Sequence, residues 1–297
     1  MNILVIGSSN TDMVVKARTL PVPGETILGG DFFMNPGGKG ANQAVAAARL
    51  GGNVTFVTKV GNDLFGKQAI EHFKEENIDT QFCLVDNENP SGVALITVDS
   101  KSENCIVVAS GSNSYLLPAD LEPVKKLIAK SCILLMQLEI PLNTVINAAQ
   151  QAHQAGRKVI LNPAPACDLP DELFNTLFLI TPNETEASLL TDIDVKNIES
   201  ATQAAQTLQK KGVRNVIITM GSKGALLAAE EEIIFIPAEK VVAIDTTAAG
   251  DVFNGALAVA LAQDISLMNA VIFANKAAAI SVTRMGAQLS APYLTEI

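Results

Sequence analysis

Short runs of β-branched and aliphatic residues, separated by segments of helical period, constrain this chain more than any other feature. The runs at Ile3–Ile6, Val54–Val60, Ile133–Met136, Val159–Leu161, Leu177–Ile180 and Val216–Thr219 show little polar alternation. That is the pattern of strands covered on both faces. Between them, Ala41–Leu50, Phe65–Asn77, Thr144–Ala155 and Ile198–Lys211 read as helices. The rhythm predicts an α/β fold: a doubly wound, mostly parallel sheet with helices on both faces. With 297 residues, 48 % of them hydrophobic, the chain can bury one large core with an appendage, or two small ones. Two segments break the rhythm. Met13–Phe33 and Ser91–Val108 lack a helical period and carry turn residues between short β-like pieces. They are expected to form a small separate sheet inserted into the main domain; long hairpins on the main sheet are the plainer alternative. Ala225–Ile236 reads as a hairpin, followed by two Ala-rich helices at Asp251–Ala262 and Asn269–Thr283.

Several function classes are excluded early. A net charge of −10, with both signs mixed along the chain, argues against nucleic-acid binding through a basic face. No apolar run approaches the ~20 residues needed to span a bilayer, and Met1–Gly7 runs into a strand without the features of a secretory signal. Cys83, Cys105, Cys132 and Cys167 have neither zinc nor redox spacing. A cytoplasmic protein without a membrane partner is expected. The two histidines, His72 and His153, fall in helical surface patterns, so acid–base chemistry is left to carboxylates or lysine. Gly61–Lys67 has the spacing of a Walker A loop, but Gln68 stands where that motif needs Ser or Thr, and the match reads as coincidence. Gly7–Asp12 does not supply the G-x-G-x-x-G turn of a dinucleotide-binding dehydrogenase.

The positive signals are small polar clusters at strand ends. In Asn35–Asn42, "NPGGKGAN", Gly37, Gly38 and Gly40 permit close backbone approach, while Lys39 and Asn42 add a cation and a two-way hydrogen bonder. A flexible turn before a helix is the bland account. Asn10 and Asp12 follow the first strand, and Glu139 follows "ILLMQL"; such strand ends are where open α/β sheets bind ligands. Together these three could hold several hydroxyls. Thr181–Glu186, "TPNETE", reads most simply as a capped helix start, with Glu186 alternatively holding water around magnesium.

The stretch Asp245–Leu257, "DTTAAGDVFNGAL", poses a puzzle: a helix start suited to an anion also carries Asp251. The two fit together if the anion is a phosphoryl group in transit. The N–H groups of Ala248, Ala249 and Gly250 would meet its charge, and Asp251 would accept the proton of the attacking alcohol.

Gly37–Gly51 and Asp245–Leu257 resemble the two signatures of the ribokinase-like (PfkB) carbohydrate kinases. "GSSNTDMV", "MQLEIPL", "LNPAPA", "TPNETEA", "TMGSKGA" and "VTRMGAQLS" occur in the order seen in the ribokinase group of that family. The resemblance covers essentially the whole chain. It implies a single domain over 1–297 with lid strands inserted at about 13–34 and 91–109, and a homodimer formed through the lids. It implies ATP-dependent phosphorylation of D-ribose at the 5-hydroxyl. Asn10, Asp12, Gly38, Lys39, Gly40, Ala41, Asn42 and Glu139 would bind the sugar, with Asp251 as base and Ala248–Gly250 as anion hole. Asn183, Thr219, Gly221, Ser222, Gly224, Gly250 and Asn275 would line the ATP site, with Glu186 organising Mg2+ through water. Asp245, Thr247, Ser281, Arg284, Gly286 and Ser290 match positions around an activating K+.

Many relatives have Gly where this chain has Ala248; the extra methyl is tolerable if its φ is negative, and the ribokinase group itself often reads this way. Asn275 replaces the His of some members. A 2-deoxyribose kinase or another sugar kinase of the family is the alternative, and a non-catalytic sugar sensor a more distant one. Asn10 favours ribose, because its amide can hydrogen-bond a 2-hydroxyl.

Overall fold

The computed structural model describes residues 2–101, 103–230 and 232–297. Its strands are β1 (Asn2–Ile6), β2 (Asn10–Lys16), β3 (Phe32–Gly37), β4 (Asn53–Gly61), β5 (Cys83–Asp86), β6 (Gly92–Val98), β7 (Asn104–Ala109), β8 (Ile133–Met136), β9 (Lys158–Leu161), β10 (Leu179–Ile180), β11 (Asn215–Thr219), β12 (Gly224–Ala229) and β13 (Glu232–Pro237). The helices are α1 (Lys39–Arg49), α2 (Leu64–Glu75), α3 (Lys125–Ile128), α4 (Leu142–Gln154), α5 (Asp171–Phe174), α6 (Glu184–Thr191), α7 (Ile198–Lys210), α8 (Ala249–Ala262) and α9 (Leu267–Ser281). Among the described residues no helix is long and apolar enough to cross a membrane.

The main sheet runs β13-β12-β11-β10-β9-β8-β1-β4-β5. It is parallel from β5 to β11 and antiparallel across the β12–β13 hairpin. Its strands are apolar throughout because both faces are covered. Ile3 and Val5 of β1 point into a core shared with α1, α8 and α9, whereas Leu4 and Ile6 point into a second core with α4, α6 and α7. The order reverses at β1, with β4 on one side and β8 on the other, and such a switch opens a crevice at the carboxyl ends. The loops after β1, β8, β9, β10 and β11 all emerge at that edge.

The small separate sheet has the order β3-β2-β6-β7. It starts earlier than the loss of helical period suggested: β2 begins at Asn10, so Asn10 and Asp12 lie on a strand of the small sheet and not on a loop after β1. Backbone pairing of Asn10 with Gly37 and Gly92 draws these residues into the sheet. The strand read over Leu177–Ile180 shortens to two residues. Alternation gives the small sheet two distinct faces. Asn10 and Asp12 lie on one, and Met13 lies on the other, in register with Met34 and Leu95. Phe32, Met34, Leu95 and Val107 on that second face are about half exposed or more (49–61 %).

Candidate active site

Helix α8 starts at Ala249 after an N-cap, Ala248, in the left-handed region at φ 60°. The condition of a negative φ is therefore not met. The turn must redirect the chain into the helix within one residue, and a left-handed residue does so. A methyl there costs about 1–2 kcal/mol relative to Gly. Ala249 N–H donates to Thr246 O at 3.3 Å. The N–H groups of Ala248 and Gly250 have no partner among the described residues. Together with the helix dipole they make an anion-binding turn.

Asp251, in the first turn of α8, is 5 % exposed. Asn42 Nδ2 donates to its Oδ2 at 2.8 Å, and Gln43 Nε2 donates to its Oδ1 at 2.9 Å. Both donors sit on α1, which packs unusually close to α8. A Cβ on Gly255 would stand 2.8 Å from Ala46 Cβ and from Gln43 O. Glycine at that crossing lets the two helices meet, and the Asn42–Gln43 pair then reaches the carboxylate one turn away. Burial raises the pKa of Asp251, while Lys39, Asn42 and Gln43 oppose the shift and favour the ionised form.

A chain of amides extends from this carboxylate. Gln137 Nε2 donates to Gln43 Oε1 at 2.6 Å, and Gln43 Nε2 also donates to Asn162 Oδ1 at 3.0 Å. Asn162 Nδ2 reaches Thr181 O at 3.4 Å, and Thr181 Oγ1 donates to Asn254 Oδ1 at 2.7 Å. Asn254 Nδ2 then donates to Gly250 O at 2.8 Å, returning to the anion-binding turn. None of Gln43, Gln137, Asn162, Thr181 and Asn254 was singled out as a candidate from the sequence. Each stood inside one of the motifs that carry the family resemblance, but was given no role there.

A cleft of about 190 Å³ opens over the turn. It gathers Lys39, Asn183, Glu186, Thr219 and the stretch Ala248–Asp251. Burial alone would lower the pKa of Lys39, but the fields of Asp251, Glu139, Glu186 and Asp12 outweigh it and hold it above the ordinary value. Its ammonium forms no ion pair among the described residues, leaving a cation free for a phosphate. Lys39, expected with the sugar ligands, thus lies on the anion side of the site. Glu186 completes a capping box: Asn183 N and Nδ2 donate to its two oxygens, both at 2.9 Å, and Glu186 N donates back at 2.8 Å. Glu186 thus caps α6 and at the same time lines the cleft. Burial raises its pKa, and Asp251 adds to the effect, while Asn183 and Lys39 oppose it. The oxygen-rich surroundings suit a hard divalent cation. With each Glu186 oxygen already accepting one bond, the remaining lone pairs are suited to a hydrated ion.

A second cavity of about 360 Å³ includes Asn10, Asn113, Glu139 and Val108 in its lining. Glu139 joins it to the first, because its Oε2 accepts from Lys39 N at 2.9 Å and from Ser8 Oγ at 2.5 Å. It serves as the N-terminal cap of α1, which Gly38 cannot supply with a side chain. Gly38 itself has φ 88°, and a Cβ there would stand 2.7 Å from Asn10 N. Ala41 N–H donates to Ser8 O at 2.8 Å, and Gly40 lies against Gly7 and Ser8. Asp12 is pushed up to about 6, by burial first and then by Glu139 and Asp251.

Gly221, Ser222 and Gly224 lie beyond Thr219, on the turn leading into β12, and do not line the central cleft. Asn275 is buried near them, its Nδ2 reaching Ile236 O at 3.4 Å. Asp245 ties two turns together, accepting from Thr247 N and Gly286 N, both at 2.9 Å. These bonds lower its pKa against the opposing effect of burial. Ser281 O accepts from Arg284 N at 3.0 Å, Ser290 Oγ is turned to Ala287 O, and the Arg284 guanidinium pairs with Glu296. Backbone carbonyls of these turns, spare lone pairs on Asp245 and the hydroxyl lone pairs of Thr247, Ser281 and Ser290 are the oxygens open to a cation.

Residues 1–294 match the pattern of the pfkB family carbohydrate kinase. The chain is 47 % identical to the ribokinase of Haemophilus influenzae over 97 % of its length and 94 % of that protein. It is also 38 % identical to the deoxyribokinase of Salmonella typhi, over 100 % of its own length and 97 % of the other's. The fold superposes with a TM-score of 0.94 on Arabidopsis thaliana ribokinase complexed with ribose and ATP, at 33 % identity and covering 99 % and 96 % of the two chains.

Proposed function

Because the chain belongs to the pfkB family of carbohydrate kinases, we propose that it phosphorylates the 5-hydroxyl of D-ribose at the expense of ATP. The observation that carries the reading is the buried Asp251 carboxylate, oriented by Asn42 and Gln43 on a turn with two unpaired N–H groups. The sugar lies in the cavity of Asn10 and Glu139, with Asp12 accepting a hydroxyl and Asn10 facing the 2-hydroxyl. Gly38, Gly40, Ala41 and Asn42 are the remaining expected sugar contacts; they do not line that cavity, and Asn42 is engaged with Asp251. Asn183 and Thr219 border the phosphates of ATP, and Gly221, Ser222, Gly224 and Asn275 flank the nucleoside.

As the sugar oxygen attacks the γ-phosphorus, its proton passes to Asp251 and ADP departs. Charge on the transferring oxygens is met by the N–H groups of Ala248 and Gly250 and by the Lys39 ammonium. Ala249 adds its N–H if the long bond to Thr246 yields. Glu186 would hold Mg2+ through water, and the ion would supply neutralisation of phosphate charge. The turns of Asp245, Thr247, Ser281, Arg284, Gly286 and Ser290 would hold K+, which would supply positive charge beside the approach to the anion-binding turn. The apolar outer face of the small sheet, with Phe32, Met34, Leu95 and Val107, supports a homodimer through the lids.

The test is ADP release from Mg-ATP with D-ribose and with 2-deoxyribose in potassium buffer. Preference for ribose is expected. Preference for 2-deoxyribose makes the chain a deoxyribose kinase, and release with neither sugar overturns the reading.

A further inference from the structure

Asn113 lies outside every motif of the family resemblance, in the turn where the small sheet returns to the main one. It is 1 % exposed and stands beside Asn10 in the lining of the same cavity. Its amide orientation is determined by the backbone. Ser9 N–H donates to Asn113 Oδ1 at 2.9 Å, and Asn113 Nδ2 donates to Ser9 O at 3.1 Å. A flipped amide would set donor against donor and acceptor against acceptor. The remaining hydrogen on Nδ2 is therefore aimed at Asn10, whose Oδ1 accepts it at 2.8 Å. This leaves the Asn10 NH2 group without a protein partner among the described residues, on the wall of the sugar cavity.

Two further features hold the pair in place. Ser112 Oγ contacts Asn89 O at 3.0 Å and Pro90 O at 2.9 Å, which fastens the turn carrying Asn113. Gly92 leaves the space for it: a Cβ there would stand 2.2 Å from Asn10 Oδ1 and 2.3 Å from Asn113 Nδ2.

We propose that Asn113 is the positioning residue that sets sugar selectivity, by locking the Asn10 amide with its NH2 group toward the 2-position of the sugar. The inference rests on the assignment of ribose as substrate. A locked donor gains a partner from a 2-hydroxyl and is left unpaired by a sugar lacking one. An unlocked amide rotates to another partner or to water, and the penalty for the missing hydroxyl falls. A buried polar group with no partner is what allows a site to reject the analogue lacking it.

The experiment compares kcat/KM for D-ribose and 2-deoxyribose in the parent chain, in Asn113→Ala and in the near-isosteric Asn113→Asp. Asn113→Asp keeps an acceptor for Ser9 N–H but turns an oxygen toward Asn10 Oδ1. In Asn113→Ala the ribose-to-deoxyribose ratio should fall about tenfold, through a higher KM for ribose with kcat held within about threefold. Asn113→Asp should instead turn the Asn10 amide over, so that its oxygen accepts from the 2-hydroxyl and a sugar with fluorine at the 2-position loses any advantage over 2-deoxyribose. A purely structural role would lower both sugars together; a ratio in Asn113→Ala within about twofold of the parent's overturns the inference. If the parent itself uses neither sugar or prefers 2-deoxyribose, the substrate assignment fails first, a result distinct from an unchanged ratio in Asn113→Ala. Should neither variant fold, calorimetry on the parent chain decides the point. A sugar carrying fluorine at the 2-position, which accepts but cannot donate, should bind more tightly than 2-deoxyribose, and binding no tighter overturns the donor assignment.

Discussion

Replacing Gln43 by Leu removes one of the two donors to the Asp251 carboxylate without touching the sugar loop's backbone. A hydrogen bond to a charged group contributes about 1.5–3 kcal/mol. If that contribution is realised in the transition state, kcat falls roughly 10- to 150-fold. The pH dependence carries the sharper signature. Burial raises the pKa of Asp251 and the Gln43 bond opposes it, so losing the bond disfavours the ionised base. The acid limb of the kcat profile should then move to higher pH. Folding is affected too, because Gln137 Nε2 and Asn162 Oδ1 each lose Gln43 as a partner. Two unpaired buried groups cost about 2–6 kcal/mol together, so rates belong well below the melting temperature of the variant. Gln43→Glu is the companion: it nearly preserves shape but sets a second carboxyl beside Asp251, and should displace the acid limb further in the same direction. A Gln43→Leu enzyme with kcat within about threefold of the parent and an unmoved acid limb would refute the orienting role.

Asp251→Asn should remove nearly all turnover while calorimetry still detects ATP binding; retention of more than about a tenth of kcat shows that another group takes the proton. For Asp12 the folded pKa of about 6 lies above the ordinary 3.8. Its acceptor form is therefore lost as pH falls through about 6, and the KM for ribose should rise over that interval; a flat KM between roughly pH 5 and 8 contradicts it. Ala248→Gly relieves a left-handed alanine and should raise stability by up to about 1 kcal/mol in denaturant titration, and an unchanged or lowered midpoint removes the case for strain there. Exchanging potassium for sodium should lower kcat, and equal rates in the two salts would remove the cation from the turns around Asp245.

The architecture was legible because its signal is local. Apolar runs such as Ile133–Met136 and helical periods such as Ile198–Lys210 recur with the spacing of their elements. Burial on both faces of a parallel sheet also leaves an unmistakable composition. The anion-binding turn and its carboxylate were legible for the same reason, since Ala248–Asp251 is one continuous stretch. The small sheet was legible only as a failure of helical period, and its edges were misplaced because Asn10 and Gly37 become strand residues through pairing with each other.

Tertiary structure alone decided the rest. Nothing in the sequence brings Gln43 and Gln137 within 2.6 Å of each other, or sets Asn113 against Asn10 at 2.8 Å across 103 positions. Nor does it announce a left-handed φ at Ala248, where the turn overrides the preference of the side chain. Hydrogen bonds between amides are directional and short, and the groups they join are chosen by how helices and sheets pack. The sequence by itself therefore determined which elements form and which segment carries the base, because those follow from neighbouring residues. Which side chains orient the base and the sugar amide was settled only when Gly255 and Gly92 let distant segments come within contact.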